Sequence, residues 1–449
     1  MARLFGTDGV RGLANVDLTA PLALELGEAA ARLTIQGRPA SGHKPKAIIG
    51  RDTRISGEFL DHALAAGLAS AGMDVVRVGV VTTPTVAHLT ASSSVDLGVM
   101  ISASHNPMPD NGIKFFAHGG YKLPDQVEDQ IQELLNTSWD RPTGAAVGEV
   151  EYDDDWAEKS YIEHLMTSLG TDLHGLRIAV DCANGGASFL APEAFRQAGA
   201  DAVVINAAPD GRNINDKAGS THPEQLQALT VASEADFGVA YDGDADRCLA
   251  VDRDGNIVDG DKIMGALAVH MRDEGQLAKD TLVVTVMSNL GLILAMQEAG
   301  IKTVQTGVGD RYVLEAMLEG GYSLGGEQSG HIIAKKYATT GDGILSSLLL
   351  ARMVKESGRD LADLTSFIKR LPQTLINVGG VDRTRATTDP TVAEAVAAAE
   401  AVLGNTGRVL LRPSGTEPLV RVMVEAATQA QADGVASRLA DVVKESLSL

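Results

Sequence analysis

Cysteine and aromatic residues are scarce in this chain of 449 residues. Only two cysteines occur and aromatic side chains make up 4% of the sequence. A disulfide framework and a cysteine-rich metal site are therefore excluded. No apolar run approaches the roughly 18 residues of a membrane span, and the first residues lack the apolar core of a signal peptide. We expect a cytoplasmic protein with no membrane partner.

Positive charge is also in deficit. Lysine and arginine number 38 against 59 aspartates and glutamates, which gives a net charge of −21. Such a surface repels nucleic-acid phosphates, so nucleic-acid binding is not expected and an anionic ligand needs a local cationic pocket. Hydrophobic residues make up 44% and glycines number 48. This composition predicts a folded protein with tight loops and closely packed helices.

One pattern of secondary structure recurs three times. A β-branched run, a polar turn, an Ala/Leu-rich helix and a second apolar run begin near residues 46, 177 and 282. Alternating strands and helices of this size predict parallel or mixed sheets covered by helices. The C-terminal part instead predicts two strands flanking a loop, followed by an amphipathic helix. The fold class is therefore α/β, with three similar α/β domains (1–155, 156–256, 257–369) and a smaller C-terminal α+β domain (370–449).

The first candidate motif is GVMISASHNPMPDNGIKFF, residues 98–116. It places Ser104 on a tight turn at the end of an apolar strand, where α/β folds carry reactive groups. His105, Asn106 and Lys114 can donate hydrogen bonds to a phosphorylated serine or to an incoming phosphate. A plain polar turn explains the same residues, and this motif alone leaves both interpretations open.

The second motif is DGDADR, residues 242–247, which follows an apolar strand. An EF-hand loop is excluded because Arg247 stands where that loop needs glycine and Arg253 where it needs glutamate. Asp242, Asp244 and Asp246 repel one another unless a cation compensates them. The loop therefore predicts one divalent ion, and Mg²⁺ is favoured over Zn²⁺ because neither sulfur nor histidine is present. A solvated acidic turn is the alternative.

The third motif is GGEQSGH, residues 325–331. Glu327 can accept hydrogen bonds from two sugar hydroxyls and Ser329 can bond another. His331 can donate to a phosphate or act as an acid. A glycine-rich bend with a capped glutamate is the alternative.

The fourth motif is RPSGTEPLVR, residues 412–421. It supplies guanidinium, hydroxyl and backbone donors that suit a phosphate monoester, from Arg412, Ser414, Gly415, Thr416 and Arg421. The pattern GxxxxGK[ST] is absent, so the loop is not a nucleotide P-loop. A surface turn is the alternative. Two further arginine-bearing loops, RLFGTDGVR at 3–11 and GRDTR at 50–54, carry little information on their own.

The motifs ISASHNP, DGDADR, GEQSGH and RPSGTEP stand in this order along the chain. With them the sequence resembles the α-D-phosphohexomutase family over essentially its whole length. The start LFGTDGVRG, the loop TGVGDR and Gln328 are similar to the branch that acts on glucosamine phosphates. Relatives that act on glucose and mannose phosphates more often carry Met where Gln328 stands, and they are the alternative.

The resemblance implies an isomerase, an intramolecular phosphotransferase built around a central cleft. Ser104 would carry the phosphoryl group and, with Asp242, Asp244 and Asp246, bind one Mg²⁺. Glucosamine 6-phosphate would become glucosamine 1-phosphate through a 1,6-bisphosphate, which is both intermediate and activator. The product would feed UDP-N-acetylglucosamine and cell-wall precursor synthesis. An activating kinase or autophosphorylation could first phosphorylate Ser104.

The resemblance also implies roles for the remaining motif residues. Glu327 and Ser329 would bind the sugar hydroxyls. Catalysis near the phosphoserine would be assisted by Arg11, Lys114, Arg247 and His331. The phosphate that is not reacting would be held by Arg412, Ser414, Gly415, Thr416 and Arg421. A metal-assisted serine phosphatase and a metal-stabilised sugar-phosphate sensor remain open as other classes.

Overall fold

The computed structural model describes residues 3–6, 8–37, 44–414 and 419–449. The chain forms two compact units. Unit 1 comprises Met1–Met287 and Ile301–Ser366, and unit 2 comprises Ser288–Gly300 and Phe367–Leu449. None of the described helices is both long enough and apolar enough to span a bilayer.

The first sheet of unit 1 contains, among the described residues, the strands β1 (Val10–Leu13), β2 (Lys46–Arg51), β3 (Asp74–Val80), β4 (Leu97–Ile101), β5 (Asp110–Ala117), β6 (Tyr121–Lys122) and β7 (Val150–Tyr152). Their order is β1-β5-β4-β2-β3-β7, with β6 beside β5. The strands β2, β3, β4 and β7 run parallel, whereas β5 is antiparallel to β4 and β1. The sheet is mixed, as predicted.

The helices of this region are α1 (Ala20–Gly37), α2 (Ile55–Ser70), α3 (Thr83–Ser92) and α4 (Asp125–Leu134). Glycines let α1 and α2 pack closely. A Cβ added at Gly67 would lie 2.2 Å from the carbonyl oxygen of Leu24, and one at Gly27 would lie 2.7 Å from that of Leu64. Real side chains cannot approach backbone so closely, so the abundant glycine of the sequence does serve helix packing here.

The second sheet is built from β8 (Arg177–Asp181), β9 (Asp201–Ile205), β10 (Phe237–Tyr241), β11 (Cys248–Asp252) and β12 (Ile257–Val258). Their order is β12-β11-β10-β8-β9. The accompanying helices are α5 (Asp154–Leu169), α6 (Ala187–Gln197) and α7 (Glu224–Ala232). Every residue of β10 is buried, and β10 pairs with β11 so that Tyr241 lies opposite Cys248. The acidic motif at 242–247 is therefore the connection of a β-hairpin.

The third sheet has the order β14-β13-β15-β16. Its strands are β13 (Thr281–Thr285), β14 (Lys302–Thr306), β15 (Leu324–Gly326) and β16 (Ile332–Ala334). The helices of this stretch are α8 (Gly260–Asp273), α9 (Leu290–Glu298), α10 (Asp310–Gly320), α11 (Gly343–Ser357) and α12 (Leu361–Thr365). The GGEQSGH motif connects the antiparallel pair β15 and β16.

Unit 2 holds an antiparallel sheet of the order β17-β19-β18. Its elements beyond α9 are β17 (Gln373–Gly379), α13 (Pro390–Leu403), β18 (Arg408–Pro413), β19 (Leu419–Glu425) and α14 (Gln429–Leu447). The sequence predicted β18, β19 and α14 but neither β17 nor α13. Val420, Val422 and Val424 are buried in the core that includes the apolar face of α14.

Helix α9 lies between β13 and β14 in the chain but belongs to unit 2. The fully buried Glu425 explains this assignment. Its carboxylate accepts from the Asn289 amide at 3.1 Å, from the Leu290 N–H at 2.9 Å and from Arg408 at 2.8 Å. The helix start is thereby bound to the end of β19.

Candidate active site

The turn after β4 holds Ser104 in the left-handed region of backbone conformation. Ser104 has φ +52° and is 1% exposed. This conformation is unfavourable for a serine unless surrounding contacts enforce it. Its carbonyl oxygen accepts from Arg54 at 3.0 Å and from Asn215 at 2.8 Å. Both side chains also donate to the carbonyl of Asn106, at 2.9 and 3.1 Å. The serine loop is therefore fixed by two remote side chains.

Arg54 is itself fully buried and is held by Asp52. The Asp52 carboxylate accepts from Arg54 at 3.0 Å and from the Ser102 hydroxyl at 2.6 Å. The N–H of Ser104 donates to that same hydroxyl at 2.9 Å. The GRDTR segment thus positions Ser104. Asn215 lies in the long loop after β9 and belongs to no motif that sequence reasoning could have found.

Residues 242–247, which connect β10 and β11 and which we call the acidic hairpin, directly contact the turn that carries Ser104. Oxygens of Asp242, Asp244 and Asp246 lie within 4.8 Å of one another, and all three side chains are buried. The Ser104 hydroxyl donates to Asp242 at 2.5 Å. A Cβ at Gly243 would lie 2.6 Å from the Ser104 carbonyl oxygen, so only glycine allows this approach. We call Ser104, Asp242, Asp244 and Asp246 the serine–aspartate centre.

The three carboxylates of the centre have strongly divergent pKa values. Burial, with the charges of its two neighbours, raises the pKa of Asp242 to about 8. Burial and Asp244 likewise raise the pKa of Asp246. Burial also acts to raise the pKa of Asp244, but the charge and hydrogen bond of Lys114, together with the hydrogen bond of Thr83, outweigh it and lower that pKa to about 2. Carboxylates that share a site with too little positive charge behave in this way.

Two oxygens of the centre fit a metal ion. Oδ1 of Asp244 and Oδ1 of Asp246 are buried and accept no hydrogen bond from the part of the chain that is described. Buried acceptors without a donor are unfavourable, and an oxygen-coordinated divalent ion would satisfy both. The donor set holds no nitrogen or sulfur, which agrees with the Mg²⁺ that the sequence predicts.

One other cluster among the described residues brings three possible ligand atoms within 4.8 Å: His270, Glu274 and Glu356. Arg352 donates to Glu274 at 3.1 Å and to Glu356 at 2.8 Å. Both carboxylates therefore already accept hydrogen bonds from one guanidinium cation. The serine–aspartate centre is the stronger candidate for a cation site.

A buried network of cations adjoins the centre. Lys114 is 1% exposed, and its Nζ lies 2.8 Å from Asp244 and 3.0 Å from Asp8. Asp8 also pairs with Arg11 and, at 2.6 Å, with Lys122. Burial opposes the charge of Asp8, but these three cations hold its pKa well below its usual range. The predicted Arg11 and Lys114 are thus brought together by an aspartate that the motifs did not single out.

His331 belongs to the same network. Its Nε2 lies 4.0 Å from Asp246 and 3.5 Å from Asp310 of the TGVGDR loop. Asp310 in turn accepts from Lys122 at 2.5 Å. The N–H of Gly341 donates to Nε2 at 3.2 Å. The structure therefore places His331 at the edge of the acidic hairpin, as a catalytic role would require.

Glu327 and Arg247 line one cavity. It has a volume of about 480 Å³ and is bordered also by Arg11, His105, Asp246 and His331. Glu327 accepts from the N–H of Gly309 at 3.0 Å. Ser329 is exposed and does not line this cavity. A second cavity of similar volume, between α1 and residues 134–141, contains none of the predicted site residues.

The fourth motif lies in unit 2. Arg412 and Arg421 are direct neighbours across β18 and β19, and both are partly exposed. No acidic side chain of the described residues pairs with either of them. Like charges directly opposite one another destabilise a sheet, so this pair favours a bound anion. We call this pair of strands and its arginines the arginine hairpin.

The loop of the arginine hairpin is only partly described. The N–H of the buried Ser414 donates to the carbonyl of Leu419 at 2.9 Å and so joins the two strands across the loop. Gly415 and Thr416 lie outside the described residues. Arg383 donates to the Ser414 carbonyl. It adds a third arginine that no sequence pattern indicated, because it comes from a segment remote from the hairpin.

Comparison with known proteins connects the chain to a family. Models of phosphoglucomutase/phosphomannomutase match in four parts: alpha/beta/alpha domain I at residues 2–141, domain II at 159–255, domain III at 259–371 and the C-terminal domain at 375–442. A phosphoglucosamine mutase of Bifidobacterium animalis subsp. lactis is 60% identical over 454 residues, covering 100% of both chains.

Solved structures agree on the fold. A phosphoglucomutase/phosphomannomutase family protein of Burkholderia thailandensis matches with a TM-score of 0.81 and 25% identity, over 99% of this chain and 97% of the other. N-acetylphosphoglucosamine mutase of Aspergillus fumigatus, in complex with GlcNAc-6P and magnesium, matches with a TM-score of 0.69 and 19% identity. That match covers 99% of this chain and 96% of the fungal one.

Proposed function

The chain belongs to the phosphoglucomutase/phosphomannomutase family, and we propose from this that it interconverts glucosamine 6-phosphate and glucosamine 1-phosphate. The choice of substrate rests on the relative with 60% identity, which is named phosphoglucosamine mutase. The observation that carries the reaction type is the Ser104 hydroxyl at 2.5 Å from Asp242 in a buried acidic cluster. A glucose or mannose phosphate mutase of the same family is the second candidate.

Asp242, Asp244, Asp246 and the phosphorylated Ser104 would hold one Mg²⁺. Oδ1 of Asp244 and Oδ1 of Asp246, which accept no hydrogen bond from the described residues, support this assignment. Magnesium is also named for the fungal structure of the same fold. When bound, the ion would draw charge from the phosphoserine and ease cleavage of its bridging P–O bond.

In the proposed reaction the bond between Ser104 Oγ and phosphorus breaks while a bond from phosphorus to the sugar O1 forms. The proton of the sugar hydroxyl passes to a nearby base, for which His331 is the candidate. The serine oxygen takes up a proton as its bond to phosphorus breaks. The resulting 1,6-bisphosphate turns over and returns its 6-phosphate to Ser104, whose hydroxyl gives that proton up again while the bond between phosphorus and the sugar O6 breaks and O6 is protonated. Arg11 and Lys114 stabilise the charge that spreads over the phosphoryl oxygens during each transfer. Arg247, the last residue of the acidic motif, has its Nε 3.9 Å from Asp242 and 3.8 Å from Asp246 and contributes to this positive field.

A mutase must accept its substrate in two orientations. Glu327 and Ser329 bind sugar hydroxyls that look alike in both. Arg412, Ser414, Gly415, Thr416 and Arg421 hold whichever phosphate is not reacting. Arg412 and Arg421 have no acidic partner among the described residues, which supports this role because a phosphate dianion can accept from two guanidinium groups.

One assay tests the proposal against its rivals. The full chain is incubated with glucosamine 6-phosphate and Mg²⁺, and glucosamine 1-phosphate and inorganic phosphate are quantified. Glucosamine 1-phosphate without net phosphate release supports the mutase. Free phosphate would indicate a serine phosphatase, and no turnover would favour a sugar-phosphate sensor. Faster turnover of glucose or mannose phosphates would overturn the choice of substrate but not the reaction type.

A further inference from the structure

Helix α3 begins against the acidic hairpin. Its first residue, Thr83, is fully buried. The backbone N–H of Thr83 donates to the carbonyl of Asp244 at 2.9 Å, and its hydroxyl donates to Oδ2 of the same residue at 2.6 Å. The first N–H groups of a helix have no acceptor within the helix. Here the hairpin supplies that acceptor, so backbone and side chain both join α3 to Asp244.

These contacts decide which oxygen of Asp244 is left for a ligand. Oδ2 accepts from Thr83 and also from Lys114 at 2.8 Å. Oδ1 is buried and has no hydrogen-bond donor in the described part of the chain, and the same holds for Oδ1 of Asp246. The terminal torsion of an aspartate has a broad energy profile. Two donors on one oxygen therefore fix a rotation that the side chain would not keep alone.

We propose that Thr83 is a positioning residue for the divalent ion, because it turns Oδ1 of Asp244 toward the cation. This inference rests on the metal site of the proposed function. Thr83 contacts neither the ion nor the substrate and acts only through Asp244. Groups that orient metal ligands in this way typically change metal affinity by about 10- to 100-fold when they are removed.

The test is the nearly isosteric Thr83→Val, with Thr83→Ser as the conservative variant. Mg²⁺ binding to the full chain is measured by calorimetry, and Mn²⁺ binding by electron paramagnetic resonance. We expect Thr83→Val to raise the Kd of both ions by about 10-fold or more and Thr83→Ser to restore it. Activity of Thr83→Val should recover at high Mg²⁺, while its KM for the sugar phosphate stays near that of the wild type.

Thr85→Val is the matched control on the same helix. Thr85 is also fully buried, but its hydroxyl pairs with Thr82 at 2.7 Å and makes no hydrogen bond to the hairpin among the residues that the structure describes. Both valine variants should lower the thermal midpoint, and only Thr83→Val should weaken ion binding. Unchanged Kd in Thr83→Val, an equal loss in Thr85→Val, or no rescue by serine would each overturn the role of Thr83. If the wild type binds neither ion, the metal site of the proposed function fails, and this role fails with it.

Discussion

The serine–aspartate centre and the arginine hairpin handle charge in opposite ways. In the centre, Ser104 and three aspartates are buried. Thr83 and Lys114, which lie far from the aspartates in the sequence, contact them. In the hairpin, Arg412 and Arg421 are neighbours on adjacent strands and have no acidic partner among the described residues. The first region assembles distant segments around an excess of negative charge. The second presents positive charge from two adjacent strands.

The difference indicates that the two regions are arranged for different ligands. Burial strengthens interactions between charges, so the centre suits covalent chemistry and a tightly held cation. Partly exposed arginines suit an anion that can leave again, as the proposed exchange of a phosphate between two orientations requires. Substitutions in the centre should therefore abolish chemistry, whereas substitutions in the hairpin should weaken substrate use without harming the fold.

The largest effect is expected for Ser104→Ala. Covalent transfer needs the hydroxyl, so mutase activity should fall to background while the circular dichroism spectrum is retained. Intact-mass analysis should show a phosphoryl adduct of about 80 Da on the wild type that is absent from the variant. Near-normal turnover of Ser104→Ala would contradict the phosphoserine mechanism. It would also contradict the chemical role that distinguishes the serine–aspartate centre from the arginine hairpin.

The second largest effect is expected when the divalent ion is removed. EDTA should stop turnover, and added Mg²⁺ should restore it, because the ion is proposed to withdraw charge from the phosphoserine. The thermal midpoint should change little, since Lys114 and Thr83 hold Asp244 without an ion. Asp244→Asn should also lose activity. Unfolding on chelation would show instead that the ion is structural.

A smaller loss is expected for Arg421→Ala in the hairpin. A charge-assisted hydrogen bond to phosphate contributes roughly 1.5–3 kcal/mol, so kcat/KM should fall by about one to two orders of magnitude in both directions. The thermal midpoint should stay constant or rise, because a cross-strand repulsion is removed. Added glucosamine 1,6-bisphosphate should partly rescue turnover.

Arg438→Ala is the control for this variant, because Arg438 is exposed on α14 of the same unit. It should leave kcat/KM unchanged. Loss in only one direction, or no loss in Arg421→Ala, would show that the hairpin does not hold the distal phosphate.

The smallest effect is expected for the pH dependence of the free energy of unfolding, to which a histidine pair in unit 1 contributes. The rings of His88 and His164 stack with centroids 4.3 Å apart. Burial, with the charge of His164, lowers the pKa of His88 to about 4. Between the unfolded value near 6.5 and this folded value, the unfolded chain binds more protons, so stability falls as the pH drops. Residues 288–300 and 367–449 contain no histidine, so unit 2 lacks this contribution.

His88→Gln should therefore reduce the loss of unfolding free energy between pH 7 and pH 5 by up to about 2 kcal/mol, less where solvent screens the half-buried ring. The measurement is chemical denaturation at both pH values. His62→Gln, at an exposed histidine, is the control and should leave the loss as in the wild type. An unchanged pH dependence in His88→Gln would contradict this account of the histidine pair.

Local patterns predicted much of the fold. The repeated strand–turn–helix units correspond to β2 with α2, β8 with α6 and β13 with α9, and the final helix was predicted from its apolar face. The patterns missed β17 and α13. They also gave no sign of the contacts that join the start of α9 to the end of β19, where the Glu425 carboxylate accepts from Asn289 and Leu290. Periodicity carries no information about such contacts.

The sequence by itself determined which chemical groups are available: a serine in a turn, an acidic hairpin, a sugar-type loop and two arginines on adjacent strands. These are properties of short segments, where residue type and spacing fix the local geometry. Only the tertiary structure decided how the groups are held. Arg54 and Asn215 fix the strained turn of Ser104, and Thr83 orients Asp244, because burial forces each polar atom to find a donor or acceptor wherever the packed chain supplies one.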